Sequence, residues 1–214
     1  MSRSAMVCCS CVLLLSACAS APTHFYTLLP PVHGQSAGVE STAARSTSPP
    51  DSQAPFAIDV DPVEVPTQVD QAAWLVRTGT GQVALLDNER WAAPLDDELQ
   101  SAFSDALTRR LHVRDVHGTA KLFSGPVYLI RVNVRRFESV PDHYALIRAD
   151  WSVAKKGGAK PSPRLTCSSN VSQPVGQGYA ALAVGHQQAV AAIAAAIARA
   201  VDSLADGKGA CPPA

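Results

Sequence analysis

Apolar residues recur at helical spacing in one segment near the middle of the chain. Leu95, Leu99, Phe103, Leu107 and Leu111 follow one another every four residues, which places them on one face of a helix. Pro94 precedes this run, three acidic residues open it, and two arginines close it, an order that complements the helix dipole. The pattern predicts an amphipathic helix packed on a sheet.

A second helix is predicted near the C-terminus, where the apolar stripe is longer and rich in alanine. Its stripe consists of Leu182, Val190, Ile193, Ile197, Val201 and Leu204. The polar residues His186, Gln187, Gln188 and Arg199 within 182–201 argue against a membrane-spanning helix. His186 lies on the apolar stripe itself, and we interpret it as a hydrogen-bonded core or edge histidine rather than a ligand.

Alternating apolar and polar residues predict a hairpin between 127–138 and 143–154. A four-residue turn at 139–142 would place Val132 beside Ala149 on the inner face and Arg131 beside Asp150 on the outer one. The outer charged residues suggest either a binding surface or a solvated sheet face, and we favour the solvated face. These residues are Arg131, Arg135, Arg148 and Asp150.

Shorter alternating segments predict further strands at 24–29, 56–65, 74–78 and 82–86, and a last strand containing Leu165, Cys167 and Val171. Strands, a helix, three antiparallel strands and a second helix follow in that order. Segregated elements of this kind are typical of an α+β fold. We therefore predict a mostly antiparallel sheet with two main helices packed on one face.

The N-terminus has the pattern of a bacterial lipoprotein signal peptide. Arg3 precedes a short apolar run, which is too short to span a bilayer and ends in Leu15-Ser16-Ala17-Cys18. This sequence matches the lipobox, so residues 1–17 are predicted to be removed and Cys18 to carry the lipid. An ordinary signal peptide is the alternative. Ala19, by resemblance to sorted lipoproteins, indicates the inner leaflet of the outer membrane.

The mature chain is predicted to form one periplasmic domain over 24–206, joined to the lipid by the short tether 18–23 and followed by the tail 207–214. Residues 30–55 are rich in Pro, Ser, Ala and Gly, which indicates a flexible insertion. Two of the six cysteines, Cys167 and Cys211, remain after signal removal and lipidation. An oxidising compartment favours a disulfide between them, and free cysteines are the alternative.

Charge and motifs give no sign of a catalytic or nucleic-acid function. Basic and acidic residues number 18 each, so the chain has no excess positive charge for nucleic acid. The sequence contains no nucleophile elbow, zinc-protease motif, phosphate loop or dinucleotide motif. His112 and His117 are poorly spaced for metal on one helical face, and Asp96, Asp97 and Glu98 fit a helix N-terminus. We predict no enzyme activity, no cofactor and no metal.

Four stretches of the chain resemble the ABC-type transport auxiliary lipoproteins (PqiC/YmbA-like). They are Phe25–Leu28, Val63–Pro66, Arg77–Gly79 leading to Glu89–Leu95, and His143–Leu146 leading to Trp151. The resemblance extends from Cys18 to about Leu204. The insertion 30–55 is longer than the family pattern suggests, and the Cys167/Cys211 pair is not a family-wide feature.

The resemblance implies a non-catalytic subunit of a lipid transport system. In such systems an MCE-domain protein forms a periplasmic tunnel connected to inner-membrane transporter subunits. The lipoprotein is expected at the outer-membrane end, as a homo-oligomer docked on that tunnel and supporting membrane integrity. A stand-alone lipid- or ligand-binding lipoprotein and an envelope hydrolase are the alternatives. A large apolar cavity would favour the first, and a convergent Ser or His site in a pocket the second.

Overall fold

A computed structural model describes residues 21–31, 55–120, 123–157 and 164–212. The predicted signal peptide, Cys18, Ala19 and most of the insertion 30–55 lie outside the described residues. Within the described ranges the chain forms seven strands and two helices. They are β1 (His24–Tyr26), β2 (Ala57–Val60), β3 (Ala73–Arg77), β4 (Val83–Trp91), α1 (Leu95–Leu111), β5 (Val127–Val140), β6 (Tyr144–Lys156), β7 (Arg164–Pro174) and α2 (Tyr179–Ala205).

The strands form two sheets, with orders β1-β4-β3 and β2-β5-β6-β7. The predicted α+β class is confirmed, but the predicted mostly antiparallel sheet is divided in two, and each part is mixed. β1 runs parallel to β4, and β2 runs parallel to β5, whereas the remaining neighbours are antiparallel. Both parallel partners are short strands that lie far from their neighbours in sequence, a relation that local periodicity does not reveal.

The β5–β6 hairpin has the predicted faces but a different register. Val132 pairs with Trp151 rather than with Ala149, so the predicted pairing is wrong by two residues. The strands extend to Val140 and Tyr144, and the turn closes with Asp142 at a φ of 62°. A bulge between Val134 and Arg136 shifts the pairing once more. A displacement of two residues leaves each side chain on its predicted face because side chains alternate with a period of two.

Both helices pack on the same side of the four-stranded sheet, as predicted. α2 lies against β6 and β7, and α1 packs between α2 and β2. α2 is long and apolar enough to cross a membrane by composition, but over half of its most apolar window is buried in this packing. Gly185 allows the close approach, since a Cβ there would lie 3.0 Å from the Ala145 Cβ and 2.3 Å from Val175 Cγ1.

One buried serine connects the two sheets and the second helix. Ser139 on β5 accepts a hydrogen bond from the Trp74 indole of β3, with Nε1 2.9 Å from Oγ. The same oxygen lies 2.8 Å from Nε2 of His186 on α2. Phe137 stacks on the His186 ring with the centroids 4.0 Å apart. This junction, defined here as Trp74, Ser139, Phe137 and His186, is enclosed by the core.

Burial sets the charge state of His186. The side chain is 0% exposed, and desolvation lowers its pKa from 6.5 to about 3. A neutral imidazole is compatible with aromatic neighbours, whereas an imidazolium would lose its hydration without an opposite charge to replace it. The prediction of a core histidine agrees with this position.

The buried histidine predicts a defined acid sensitivity. The unfolded chain takes up a proton at this residue below about pH 6.5, whereas the folded protein does not until about pH 3. Stability from this group is therefore complete above pH 6.5 and falls as the pH drops, by at most about 1.4 kcal/mol per pH unit. We expect His186→Phe to lose less unfolding free energy than the wild type between neutral pH and pH 4 in denaturant titrations.

The exposed turn residue His143 provides the matched control, because His143→Phe removes one histidine without changing the core. That variant should follow the wild-type pH dependence. A His186→Phe variant with the wild-type pH slope would show that burial of this ring does not control acid stability.

Candidate functional site

The segment next to the predicted tether is built into the core. β1 pairs with the end of β4, and the Ala92 amide donates to the Tyr26 carbonyl at 2.8 Å. The Tyr26 ring packs edge-on against Trp74, with the centroids 5.1 Å apart. The strand is shorter than predicted, because it ends at Tyr26 rather than Leu29. The first described strand is therefore held by both backbone and ring contacts.

Two polar side chains, one from each helix, hold the residues after β1. Glu98 Oε2 accepts from the Thr27 hydroxyl and from the Leu28 amide, each at 2.8 Å. From α2, Gln187 Nε2 donates to the Thr27 carbonyl at 2.9 Å. Glu98 is only 6% exposed, and these two donors satisfy its buried carboxylate. We call Glu98 and Gln187 the N-terminal latch.

A further contact joins β1 to β4 through Glu89. The Tyr26 hydroxyl donates to Glu89 Oε2 at 2.5 Å, and His24 Nδ1 lies 2.9 Å from Oε1. Burial, followed by the hydrogen bond and charge of Glu89, raises the pKa of Tyr26 to about 12. Burial opposes ionisation of Glu89, but the Tyr26 and His24 hydrogen bonds outweigh it and lower the pKa of that carboxyl. The phenol thus remains a neutral donor over the physiological range.

The outer face of the four-stranded sheet carries an open groove of about 670 Å³. Within it, Arg131 Nε lies 2.7 Å from Asp61, and the lining residue Asp150 lies 3.0 Å from Nε of Arg135. The sequence predicts Asp150 beside Arg131. In the observed register Asp150 contacts Arg135 instead. Arg131 and Arg135 thus have acidic partners within the chain, and Arg148, the remaining outer-face arginine, is exposed. The interpretation of this face as a solvated sheet surface stays a prediction.

A charged cluster at the edge of this groove was not predicted. Asp59 on β2 lies 3.0 Å from His117 Nδ1 and 2.7 Å from Lys156 Nζ. Burial opposes ionisation of Asp59, but hydrogen bonds and attraction from Lys156 and His117 outweigh it and lower its pKa. Donor atoms of Asp59, Asp61 and His117 lie within 4.8 Å of one another, a spacing that suits a metal ion. Lys156 and Arg131 already bind these carboxylates, so a metal would compete with two cations.

The core junction contains a Ser–His contact, the pairing on which many hydrolases depend. Ser139 borders a groove beside β3 but is itself 1% exposed, and His186 is fully buried. His186 Nδ1 has no hydrogen-bond partner in the described part of the chain, so no carboxylate orients the ring there. A pKa of about 3 also makes His186 a poor base near neutral pH. This geometry favours a structural role.

Cys167 and Cys211 lie together in the structure. Their Sγ atoms form a disulfide that connects β7 to the segment after α2, with Cα atoms 5.9 Å apart. After α2, Gly207 and Gly209 adopt φ values of 74° and 61°, which turn the chain back towards the sheet. The disulfide encloses a sequence separation of 44 residues, which includes all of α2.

Comparison with known families identifies the chain. Residues 40–198 match the family described as the ABC-type transport auxiliary lipoprotein component. The chain belongs to this family. The match covers most of the sequence, including α1, most of α2 and the four-stranded sheet, and agrees with the resemblance found in the sequence. A search of curated proteins finds no match.

Solved structures share the fold at low sequence identity. A crystal structure of an uncharacterized protein is 22% identical, with a TM-score of 0.56, covering 70% of this chain and 95% of its own. Protein XCC0632 from Xanthomonas campestris, of family DUF330, is 18% identical, with a TM-score of 0.55, covering 71% of this chain and 88% of its own. At these identities the similarities show that the chain shares its fold with both structures.

The disulfide predicts a measurable loss of stability on reduction. Replacing both cysteines, as Cys167→Ser with Cys211→Ser, should lower the free energy of unfolding by about 2–4 kcal/mol, because a long loop is released in the unfolded chain. Denaturant titration measures this loss. Dithiothreitol should destabilise the wild type similarly and leave the double variant unchanged. Two free thiols per folded chain in non-reducing buffer would contradict the bond.

Proposed function

We propose that this protein is a non-catalytic outer-membrane lipoprotein subunit of an MCE/ABC-type intermembrane lipid transport system. In this proposal Cys18 carries the lipid, and the domain docks the periplasmic end of an MCE-domain tunnel whose transporter subunits lie in the inner membrane. The protein acts there as a homo-oligomer and supports membrane integrity. The family match over residues 40–198 is the observation that carries the proposal.

The geometry of the N-terminal segment supports an adaptor role. The tether between Cys18 and His24 reaches at most about 20 Å when extended. Glu98 and Gln187 attach the following residues to both helices. The short tether limits how far the domain can move from the membrane. Such a domain is suited to hold the end of a periplasmic tunnel in a fixed position. This role requires rigid surfaces rather than a reactive group.

The first alternative is a stand-alone lipid- or ligand-binding lipoprotein, which needs space between sheet and helices. In the described residues this interior is filled by tightly packed side chains, among them Phe103, Ile147, Trp151, Ile193 and Ile197. The grooves described above are open at the surface, between strands rather than beneath the helices. The filled core thus offers this alternative no support.

The second alternative, an envelope hydrolase, needs an accessible nucleophile and base. Ser139 and His186 have the required separation, but both lie inside the core. Substrate access would require separation of the two sheets from α2. We therefore retain the non-catalytic proposal.

Cross-linking in intact cells tests the proposed partner. The full-length protein, tagged at its C-terminus, is cross-linked, extracted in mild detergent, and its partners are identified by mass spectrometry. We expect an MCE-domain protein and multimers of the bait. The matched control is a chimera that carries residues 1–23 on an unrelated periplasmic domain, because it shares the membrane address but not the folded surface.

Two outcomes contradict the proposal in different ways. Recovery of the bait alone, as a monomer, excludes the transport-auxiliary role under these conditions. Equal recovery of the MCE-domain protein with the chimera shows that proximity at the membrane, rather than docking, explains the cross-link. Acylation of Cys18 is read separately from the mass of the mature N-terminal peptide, with Cys18→Ser as the unmodified reference.

A further inference from the structure

An exposed aromatic side chain lies on β1, close to the predicted lipid anchor. Phe25 is 65% exposed, and Leu29, four residues later, is 40% exposed. The neighbours Tyr26 and Leu28 point into the core, so the segment presents apolar side chains on both sides. Single exposed apolar residues are common, so the exposure of Phe25 alone does not indicate a binding surface. Its position close to the predicted lipid anchor does.

That location is fixed by chain length. Phe25 follows Cys18 by seven residues, so an extended chain separates the two by at most about 25 Å. The strand that carries Phe25 is fixed to the domain, because the N-terminal latch binds the residues after it and β4 pairs with it. Among the described residues, Phe25 is thus a rigidly presented aromatic side chain close to the anchor.

The residue beside Phe25 suits a membrane surface. Arg90 on β4 is the register partner of Phe25, so both side chains project from the same face of the three-stranded sheet. Arg90 is partly exposed, and its guanidinium has no ion pair among the described residues. An aromatic ring next to an arginine matches the boundary between acyl chains and phosphates, where the ring enters the apolar layer and the cation remains with the headgroups.

We propose that Phe25 and Arg90 form a membrane-contact patch that orients the domain on the lipid surface. This inference rests on the proposed acylation of Cys18, since the chain has no net charge with which to bind membranes by itself. The lipid supplies the attachment, and the patch determines which side of the domain faces the bilayer. The β3–β4 turn lies on the same sheet face but at the opposite end of β4, which leads from Val83 to Arg90 at the patch.

Site-specific fluorescence tests the patch. After signal removal, acylation of Cys18 and disulfide formation, Phe25→Cys introduces a single free thiol for an environment-sensitive fluorophore. The matched control is Val83→Cys, because Val83 is also apolar, 56% exposed and on the same sheet face, but at the far end of β4 from the anchor. Both full-length, acylated proteins are reconstituted in vesicles of phosphatidylethanolamine and phosphatidylglycerol, with and without a nitroxide-labelled lipid.

We expect a blue-shifted emission and strong nitroxide quenching for the label at position 25, and an aqueous, unquenched emission for the label at position 83. Equal emission from both positions in acylated protein, whether aqueous or blue-shifted and quenched, would overturn a patch confined to the anchor end while leaving the lipid anchor intact. A blue shift at position 25 without lipid quenching would also overturn it, since another protein surface would then cover Phe25. Mass spectrometry that finds no acyl chain on Cys18 would contradict the anchor and the patch together.

Discussion

The hydroxyl of Ser139 is the point on which the architecture depends. It meets the Trp74 indole from the three-stranded sheet and the His186 imidazole from α2, while Ser139 itself belongs to the four-stranded sheet. A buried hydroxyl that lost these two partners would have given up its water without compensation, so the contacts with Trp74 and His186 favour this one arrangement. The junction therefore fixes how the two sheets and the helix sit against one another.

The position of β1, next to the proposed lipid anchor, depends on that fixed arrangement. Tyr26 packs on Trp74, so the first strand is seated on the same junction. The N-terminal latch then uses one residue from each helix to hold the chain beyond β1. The proposed lipid anchor would therefore be connected to the core through β1 and the residues after it. This coupling suits a positioned adaptor, and the sealed Ser–His contact is better explained by the same structural requirement than by chemistry.

The sequence was most informative where a residue pattern is local. The four-residue spacing of α1 and the alternating faces of β5 and β6 predicted those elements correctly, since each depends on the period of its own backbone. The hairpin register was wrong because the bulge after Val134 and the tight turn at Asp142 have no clear local signal. Contacts between distant segments were also missed. Asp59 and His117 are 58 residues apart, and Glu98 meets Leu28 across 70 residues.

The proposed lipid can position the folded surface only if the N-terminal strand is a rigid part of the domain. Hydrogen exchange of the acylated protein measures this at two amides, Leu28, which donates to Glu98, and Ala92, which donates to Tyr26. If the claim is correct, both amides exchange as slowly as those in the centre of the β5–β6 hairpin, through opening of the whole domain. Fast exchange at Leu28 and Ala92, with protection retained in β5 and β6, would show that the strand detaches locally and would contradict it.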